Sequence, residues 1–578
     1  LERQLRVPSA AAPIVRAMSV LRVFPSPDEL VHVVPDLGAG DVFEHIYRLI
    51  GDGTARHPGY ARRMPRPSIE LASTRPFCSR RGRKMCYRTL VPLVIALFAP
   101  LAAGAQSPSG EFDVVLSGGR VMDPESGLDG VRDTAGRIAA LSTVPLSGRQ
   151  VIDVRGLVVA PGFIDLHAHG QDLKSHRLQA QDGVTTALET ELGTLAVDGW
   201  YATREGMAPI NYGVAVGHRQ ARARALSAVD VPDPLFSALF AKVEQRSEWR
   251  LDAATDRQSS ALLDSLAQGL DEGALGIGTI IQHTPGARRE EILQLFQLAA
   301  RRGVPVFAHV RSMGSVEPDS GLNSVQEVVA NAAATGASLH VLHVTSSCLG
   351  QTPVCLEVIA GARSRGLDVT TEAYAYTAAS TAITAATFDA GWQQRLGISY
   401  ADLQWVATGE RLTERSFADY RKLGGLVIMH MIPGPAVDAA LAHPLVMISS
   451  DGLPFTTGRE HPRGAGNFAR VLGHYVREKR LLPLMDALAK MTLLPARRLE
   501  AQVPGMRLKG RMQVGADADV TVFDPDRVFD RATFEKPVQP SAGIVHVLVA
   551  GTAVVRDGEL LPDPRPGRPI RRAVAHHE

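Results

Sequence analysis

Val158-Val159-Ala160-Pro161-Gly162-Phe163-Ile164-Asp165-Leu166-His167-Ala168-His169-Gly170 is an apolar run that ends in His-x-His. Alternate side chains of a strand share a face, so His167 and His169 point the same way. Two neutral imidazoles side by side form a claw for a metal ion. Pro161-Gly162 marks a bend just before that strand.

Outward from this stretch, apolar segments alternate with amphipathic helical patterns, which argues for parallel β/α units. Segments 162–169, 185–191, 212–217, 274–281, 305–310, 339–345, 369–376 and 446–451 read as strands. Eight is the number that closes a barrel. Helical patterns such as 290–302 and 324–335 carry apolar residues at three- and four-residue spacing. A further strand at 426–431 makes 378–443 an insertion with its own structure. Short strands recur at both ends. On one side are 112–116, a hairpin turn at Ser117-Gly118-Gly119-Arg120, and strands at 137–141 and 151–154; on the other are 518–523, 545–550 and 552–555. The expected architecture is α/β: a (β/α)8 TIM-like barrel over 161–500, with a small β-sandwich built from 111–160 and 505–565.

The chain has 578 residues, 45% hydrophobic and 21% charged, which is the balance of a globular protein long enough for a barrel and a second module. A net charge of +2 and 5% aromatics offer neither the basic surface nor the stacking platforms of a nucleic-acid binder. None of the four cysteines forms Cys-x-x-Cys, which excludes a zinc ribbon or thioredoxin-type site. The basic cluster Arg80-Arg81-Gly82-Arg83-Lys84-Met85, an apolar run over 89–103 and Ala103-Gly104-Ala105 have the layout of a secretory signal peptide at 85–105. The run is too short for a permanent membrane anchor. Residues 1–84 then read as upstream sequence or an extended leader, and the mature protein as periplasmic or secreted.

Chemistry on such a barrel sits at the C-terminal ends of the strands. His309, His343 and Asp451 each close an apolar strand, and Glu189 and Glu191 close the second. A carboxylate there could bridge two metal ions; both are candidates, with Glu189, deeper in the strand, preferred.

The His-x-His block, followed in order by His309, His343 and Asp451, resembles the amidohydrolase superfamily of metal-dependent hydrolases. Further segments narrow the resemblance: Gly273-Ala274-Leu275-Gly276-Ile277-Gly278, Ala308-His309-Val310-Arg311, His343-Val344-Thr345-Ser346, Thr371-Glu372-Ala373-Tyr374-Ala375-Tyr376, His461-Pro462-Arg463, Phe468-Ala469-Arg470-Val471-Leu472, and Lys509-Gly510-Arg511 before Gly515-Ala516-Asp517-Ala518-Asp519. Together they look like the N-acyl-D-amino-acid deacylases (D-aminoacylases). The paired glutamates, with Gly391-Trp392 and Gln404-Trp405, look closer to the D-glutamate deacylase branch.

The resemblance implies one or two zinc ions held by His167, His169, His309, His343, Asp451 and one of the two glutamates. It implies Asp451 as the group that moves protons, and a small N-acyl amino acid as substrate. The chain departs from the pattern at three places: Leu192 stands near the usual metal-ligand cysteine, His283 replaces a usual tyrosine, and Thr345 replaces a usual lysine. A substrate carboxylate needs a cation, for which Arg311 is the first candidate and Arg463 the second. Tyr374 and Tyr376 are candidate hydrogen-bond donors to substrate. Cyclic-amide hydrolases (hydantoinase or dihydroorotase type) share the scaffold but usually carry a fourth-strand lysine, and Gly276-Ile277-Gly278-Thr279 offers none. A dipeptidase and a metal-free binding protein are the remaining alternatives. The oligomeric state is not encoded in any motif.

Cys348 and Cys355 flank Leu349-Gly350-Gln351-Thr352-Pro353-Val354, where Gly350 and Pro353 let the chain turn back. In an oxidising compartment they are expected to form a local disulfide that pins the loop beside His343.

Overall fold

The computed structural model describes residues 112–135, 137–229 and 247–574. The expected signal peptide and upstream segment, with Cys78 and Cys86, lie outside the described residues.

Eight strands form one sheet: β1 Phe163–Asp165, β2 Val184–Thr194, β3 Asn211–Gly217, β4 Ile277–Ile280, β5 Val306–His309, β6 Leu339–Val341, β7 Val369–Ala373 and β8 Val446–Ile448. Each runs parallel to the next. A parallel bridge between Ala168 and Gly452, beyond the ends of β1 and β8, closes the barrel. The Asp451 amide donates to the His167 carbonyl across that seam at 2.7 Å. The strands are buried along their whole length, which is why they read as apolar runs rather than as alternating patterns. Ile164, Leu188, Ala215, Leu275, Phe307, Leu342 and Met447 fill the interior as one cluster. Each large side chain there contributes about 1.5–3 kcal/mol by leaving water.

All eight expected segments contain a barrel strand, but most strands stop earlier than expected. His167 and His169 lie just past β1, His343 past β6 and Asp451 past β8. His343 (φ 30°) and Asp451 (φ 51°) adopt left-handed backbone, a costly conformation for residues with a Cβ. The chain turns at these residues and aims them over the barrel mouth.

The quoted opening stretch does two jobs. Val158–Pro161 is a strand of a separate nine-stranded sheet, and Gly162 then carries the chain into β1. A Cβ on Gly162 would meet the Thr185 side chain at 2.2 Å, so glycine is required there. Val158–Pro161 pairs in parallel with Phe112–Asp123 and antiparallel with Val520–Phe523, which joins the first and last strands of the described chain into one sheet. Hydrogen bonding makes these strands one continuous sheet. The expected hairpin at Ser117-Gly118-Gly119-Arg120 is not a turn: Phe112–Asp123 runs through it, with a register shift between Leu116 and Gly119. Gly118 takes φ 76° in that bulge, and its amide donates to Asp133 at 2.8 Å.

Within the 378–443 insertion, Ala379–Ala382, Leu426–Met429 and Leu403–Trp405 form a three-stranded antiparallel sheet. Its packing centre is aromatic, with Trp392 and Phe417 stacked at 5.4 Å. The structure joins Cys348 and Cys355, both buried, in a disulfide with a Cα–Cα distance of 6.7 Å.

Candidate metal centre

Six side chains meet at the barrel mouth. The His167 and His169 Nε2 atoms stand 3.2 Å apart. Asp451 Oδ1 is 3.6 Å from the first and 3.2 Å from the second, and Glu191 Oε2 is 3.6 and 3.3 Å away. The other oxygen of Glu191, Oε1, faces His309 Nδ1 at 2.8 Å and His343 Nε2 at 3.0 Å. His167, His169 and Glu191 thus form one group able to hold a metal ion, and Glu191, His309 and His343 a second. Glu191 belongs to both.

The outer atoms of these histidines are braced. His167 Nδ1 lies 2.7 Å from Glu372 Oε1, and His169 Nδ1 lies 2.7 Å from Glu189 Oε2. A carboxylate only accepts, so both rings place a proton outward and a lone pair inward. Two lone pairs facing each other among carboxylates repel unless positive charge lies between them. The electrostatics say the same. Burial opposes a charged imidazole at His167, yet Asp451, Glu372 and Glu191 push its pKa well above the ordinary value. His169 is raised likewise by Glu189, Asp451 and Glu191 against burial. The spot is built for positive charge, and the nitrogen–carboxylate donor set fits zinc.

On the second side, His309 Nε2 meets Gln282 Oε1 at 3.0 Å and His343 Nδ1 meets Ser346 Oγ at 3.0 Å, which turns the other nitrogens toward Glu191. Below the cluster, Asp165 Oδ1 accepts from the His167 amide at 3.2 Å and from the Ser450 amide at 3.0 Å, tying the ends of β1 and β8 together. Burial pushes the Asp165 carboxyl up to about 7.

The structure brings His167, His169, Glu191, His309, His343 and Asp451 together and corrects three other expectations. Glu189 is not the shared carboxylate. Its Oε1 folds back to accept the amides of Glu191 (3.1 Å) and Leu192 (2.8 Å), and its other oxygen braces His169. The cause is an irregular end to β2, where the register with β3 shifts between Glu189 and Thr194 and Gly193 takes φ 65°. Arg311 is not free to meet a substrate carboxylate: it is forked onto Glu327 at 2.7 and 2.8 Å and donates to the Ala287 carbonyl. Tyr376 points away, its hydroxyl donating to Asp530 at 3.1 Å beneath the Arg470 guanidinium.

Arg463 lies fully buried beside the cluster. Its NH2 is 2.9 Å from Asp451 Oδ2, and its guanidinium stacks 4.6 Å from the Tyr374 ring. Against burial, Arg463 and His167 hold the Asp451 carboxyl below its ordinary range. The Tyr374 hydroxyl is buried without a hydrogen bond of normal geometry. His283 stands 5.6 Å ring to ring from His309, and burial, with His309, Arg219 and Arg250 adding to it, pushes its pKa well below the ordinary value.

Sequence reasoning passed over Glu372 and Gln282. Glu372 sits inside β7, whose sequence Val-Thr-Thr-Glu-Ala offers no apolar run for it to end, so the rule that singles out His309 does not reach it.

Above the cluster opens a cavity of about 840 Å³. One wall carries Leu192, Arg219, Arg250, Ile280 and His283; the insertion supplies Ser380, Thr381, Trp405 and Met429.

Residues 150–230 and 260–555 match the model of the amidohydrolase family. Over 520 residues the chain is 33% identical to an N-acyl-D-glutamate deacylase of Alcaligenes xylosoxydans xylosoxydans, covering 80% of this chain and 97% of that protein. It is 32% identical over 532 residues to a D-aminoacylase of the same organism, covering 82% and 100%. It is also similar to the crystal structure of an N-acyl-D-glutamate deacylase from Bordetella bronchiseptica, complexed with zinc and a phosphonate mimic of the tetrahedral intermediate. There the TM-score is 0.66 and the identity 29%, with 80% of this chain and all of that one covered.

Proposed function

The chain belongs to the amidohydrolase family, and from that premise we propose that it is a zinc-dependent N-acyl-D-amino-acid deacylase, cleaving the amide of N-acyl-D-glutamate or a close analogue. The observation that carries the reading is the pair of three-ligand groups joined through Glu191. His167, His169, Glu191 and Asp451 would hold one ion, and Glu191, His309 and His343 another. Zinc at such a site supplies Lewis acidity, polarising an amide carbonyl and lowering the pKa of water toward ~7.

The protein's own groups do the rest. Asp451 accepts the proton of the attacking water at a carboxylate oxygen and later delivers it to the leaving amine nitrogen. Arg463 fixes Asp451 and favours its ionised form, the form a general base needs. Glu372 and Glu189 hold His167 and His169 in the tautomer that faces the cluster. The insertion, lining the cavity, screens the reacting amide from bulk water.

A cyclic-amide hydrolase is the weaker reading, since Glu191 occupies the shared position and β4 brings no lysine. Export to an oxidising compartment is part of the proposal, supported by the 85–105 pattern and by the Cys348–Cys355 bond.

The test is hydrolysis of N-acetyl-D-glutamate, its L-enantiomer, N-acetyl-D-leucine and a hydantoin, with zinc content measured on the same sample. Turnover of the D-substrates that chelation abolishes and zinc restores supports the proposal. Turnover of the hydantoin alone would overturn it.

A further inference from the structure

The cavity carries a charge pattern that amide hydrolysis alone does not require. Among the described residues lining it, carboxylates occur only at Glu191 and Asp451, inside the cluster, while its walls carry Arg219, Arg250, Arg421 and Lys422. Arg421 is neutralised, paired with Asp389 at 2.9 Å and donating to the Phe388 carbonyl. Arg219 lies over the buried Trp249 ring, 5.0 Å from its centroid, which fixes it on the wall.

Arg250 is different. NH1 donates to the Thr384 carbonyl of the insertion at 3.0 Å, and the buried Nε has no hydrogen-bond partner. Arg250 forms no ion pair with a described carboxylate. A half-buried guanidinium with a dry, unpaired N–H is costly, and a carboxylate that accepts from it recovers that cost through charge-assisted hydrogen bonds. Of the two arginines expected to do this from sequence, Arg311 is forked onto Glu327, and Arg463, ion-paired with Asp451, does not line the cavity.

We propose that Arg250 receives the free carboxylate of the substrate and makes the cavity select anionic N-acyl amino acids over neutral amides. The substrate then spans the cavity, with its amide at the Glu191 cluster and its carboxylate near the seam between the Glu248–Leu251 helix and the insertion. Arg250 is then a specificity-determining residue of the cavity wall. The proposal rests on the deacylase reading, and its test separates the two.

The full chain, zinc-loaded, is assayed as wild type, Arg250→Gln and Arg250→Lys. The substrates are N-acetyl-D-leucine, N-acetyl-D-methionine and the α-carboxamide of each, which is neutral. Arg250→Gln is expected to lower kcat/KM for the carboxylates by about 10- to 100-fold, mostly through KM, and to leave the carboxamides within about two-fold. Arg250→Lys, which keeps the charge, should recover part of the loss. Equal losses for carboxylates and carboxamides, or no loss at all, would overturn the proposal. Calorimetric binding of N-acetyl-D-glutamate to the zinc-free proteins gives a readout independent of turnover. If wild type binds it, Arg250→Gln binds it at least ten-fold less tightly, and no substrate is cleaved, the deacylase reading falls while the role of Arg250 stands. If wild type cleaves the panel and the variant binds equally well, the reverse holds. Neither cleavage nor binding would end both.

Discussion

At the residue scale, Glu191 and Asp451 carry the account. Glu191→Gln removes the shared charge while keeping the volume, and Glu189→Gln removes only a brace on His169. Metal analysis should therefore find zinc lost from the first variant and largely retained in the second, with affinity reduced about 10- to 100-fold for the brace. The opposite order would restore the preference for Glu189 that strand depth suggested. Asp451→Asn should lose about 10²–10⁴-fold in kcat, because an amide cannot carry the proton. Near-normal turnover at saturating substrate would remove Asp451 from the mechanism. His167, His169, His309, His343 and Asp451 were legible in the sequence because a polar residue that ends an apolar run has few roles on a barrel. The choice between Glu189 and Glu191 was not, because it turns on a bulge at Gly193 that strand alternation does not encode. Arg311 misled for a related reason: its fork onto Glu327 depends on a helix sixteen positions away whose facing side only the fold reveals.

At the scale of elements, the strands were legible as apolar runs and their ends were not. Left-handed backbone at His343 and Asp451 breaks each pattern just where the site begins. Gly193 is the sharpest test of this idea. A Cβ there would meet the Ala215 carbonyl oxygen at 2.6 Å and the Gly217 nitrogen at 2.7 Å, on a backbone at φ 65°. Gly193→Ala should cost about 1–3 kcal/mol in denaturant unfolding and should also weaken zinc binding, because the bulge aims Glu191. Loss of stability with unaltered zinc affinity would separate the bulge from the site.

Lys490 offers a second element-scale test. From the Leu484–Met491 helix it donates to the carbonyls of His443 and Val446, at the start of β8. Burial lowers its pKa from 10.5 to about 8. The unfolded chain therefore binds the extra proton between these values, and stability rises with pH across that window. Wild type should gain on the order of 3 kcal/mol relative to Lys490→Met between pH 8 and 10.5. Parallel curves for the two proteins would contradict it.

At the scale of the whole molecule, strands from both sides of the barrel sequence meet in one sheet, the barrel presents its C-terminal edge, and the insertion builds a wall over it. The single and double origin of the end sheet was readable from short strands at both termini. That Val158–Pro161 joins both halves and then leads directly into the His-x-His turn was not, since pairing partners such as Val159 and Val522, on strands far apart in the chain, leave no local mark. The Cys348–Cys355 bond links this architecture to the cell: free-thiol labelling at both positions in natively produced protein would remove the bond and one support for export. The central claim is that Glu191 joins two metal-holding groups. Anomalous X-ray diffraction at the zinc edge, on active crystals of the chain, tests it most directly. The account predicts zinc peaks about 2.0–2.2 Å from Glu191 oxygens, flanked by His167 and His169 on one side or by His309 and His343 on the other; a zinc peak elsewhere, or active crystals with none between these side chains, would contradict it.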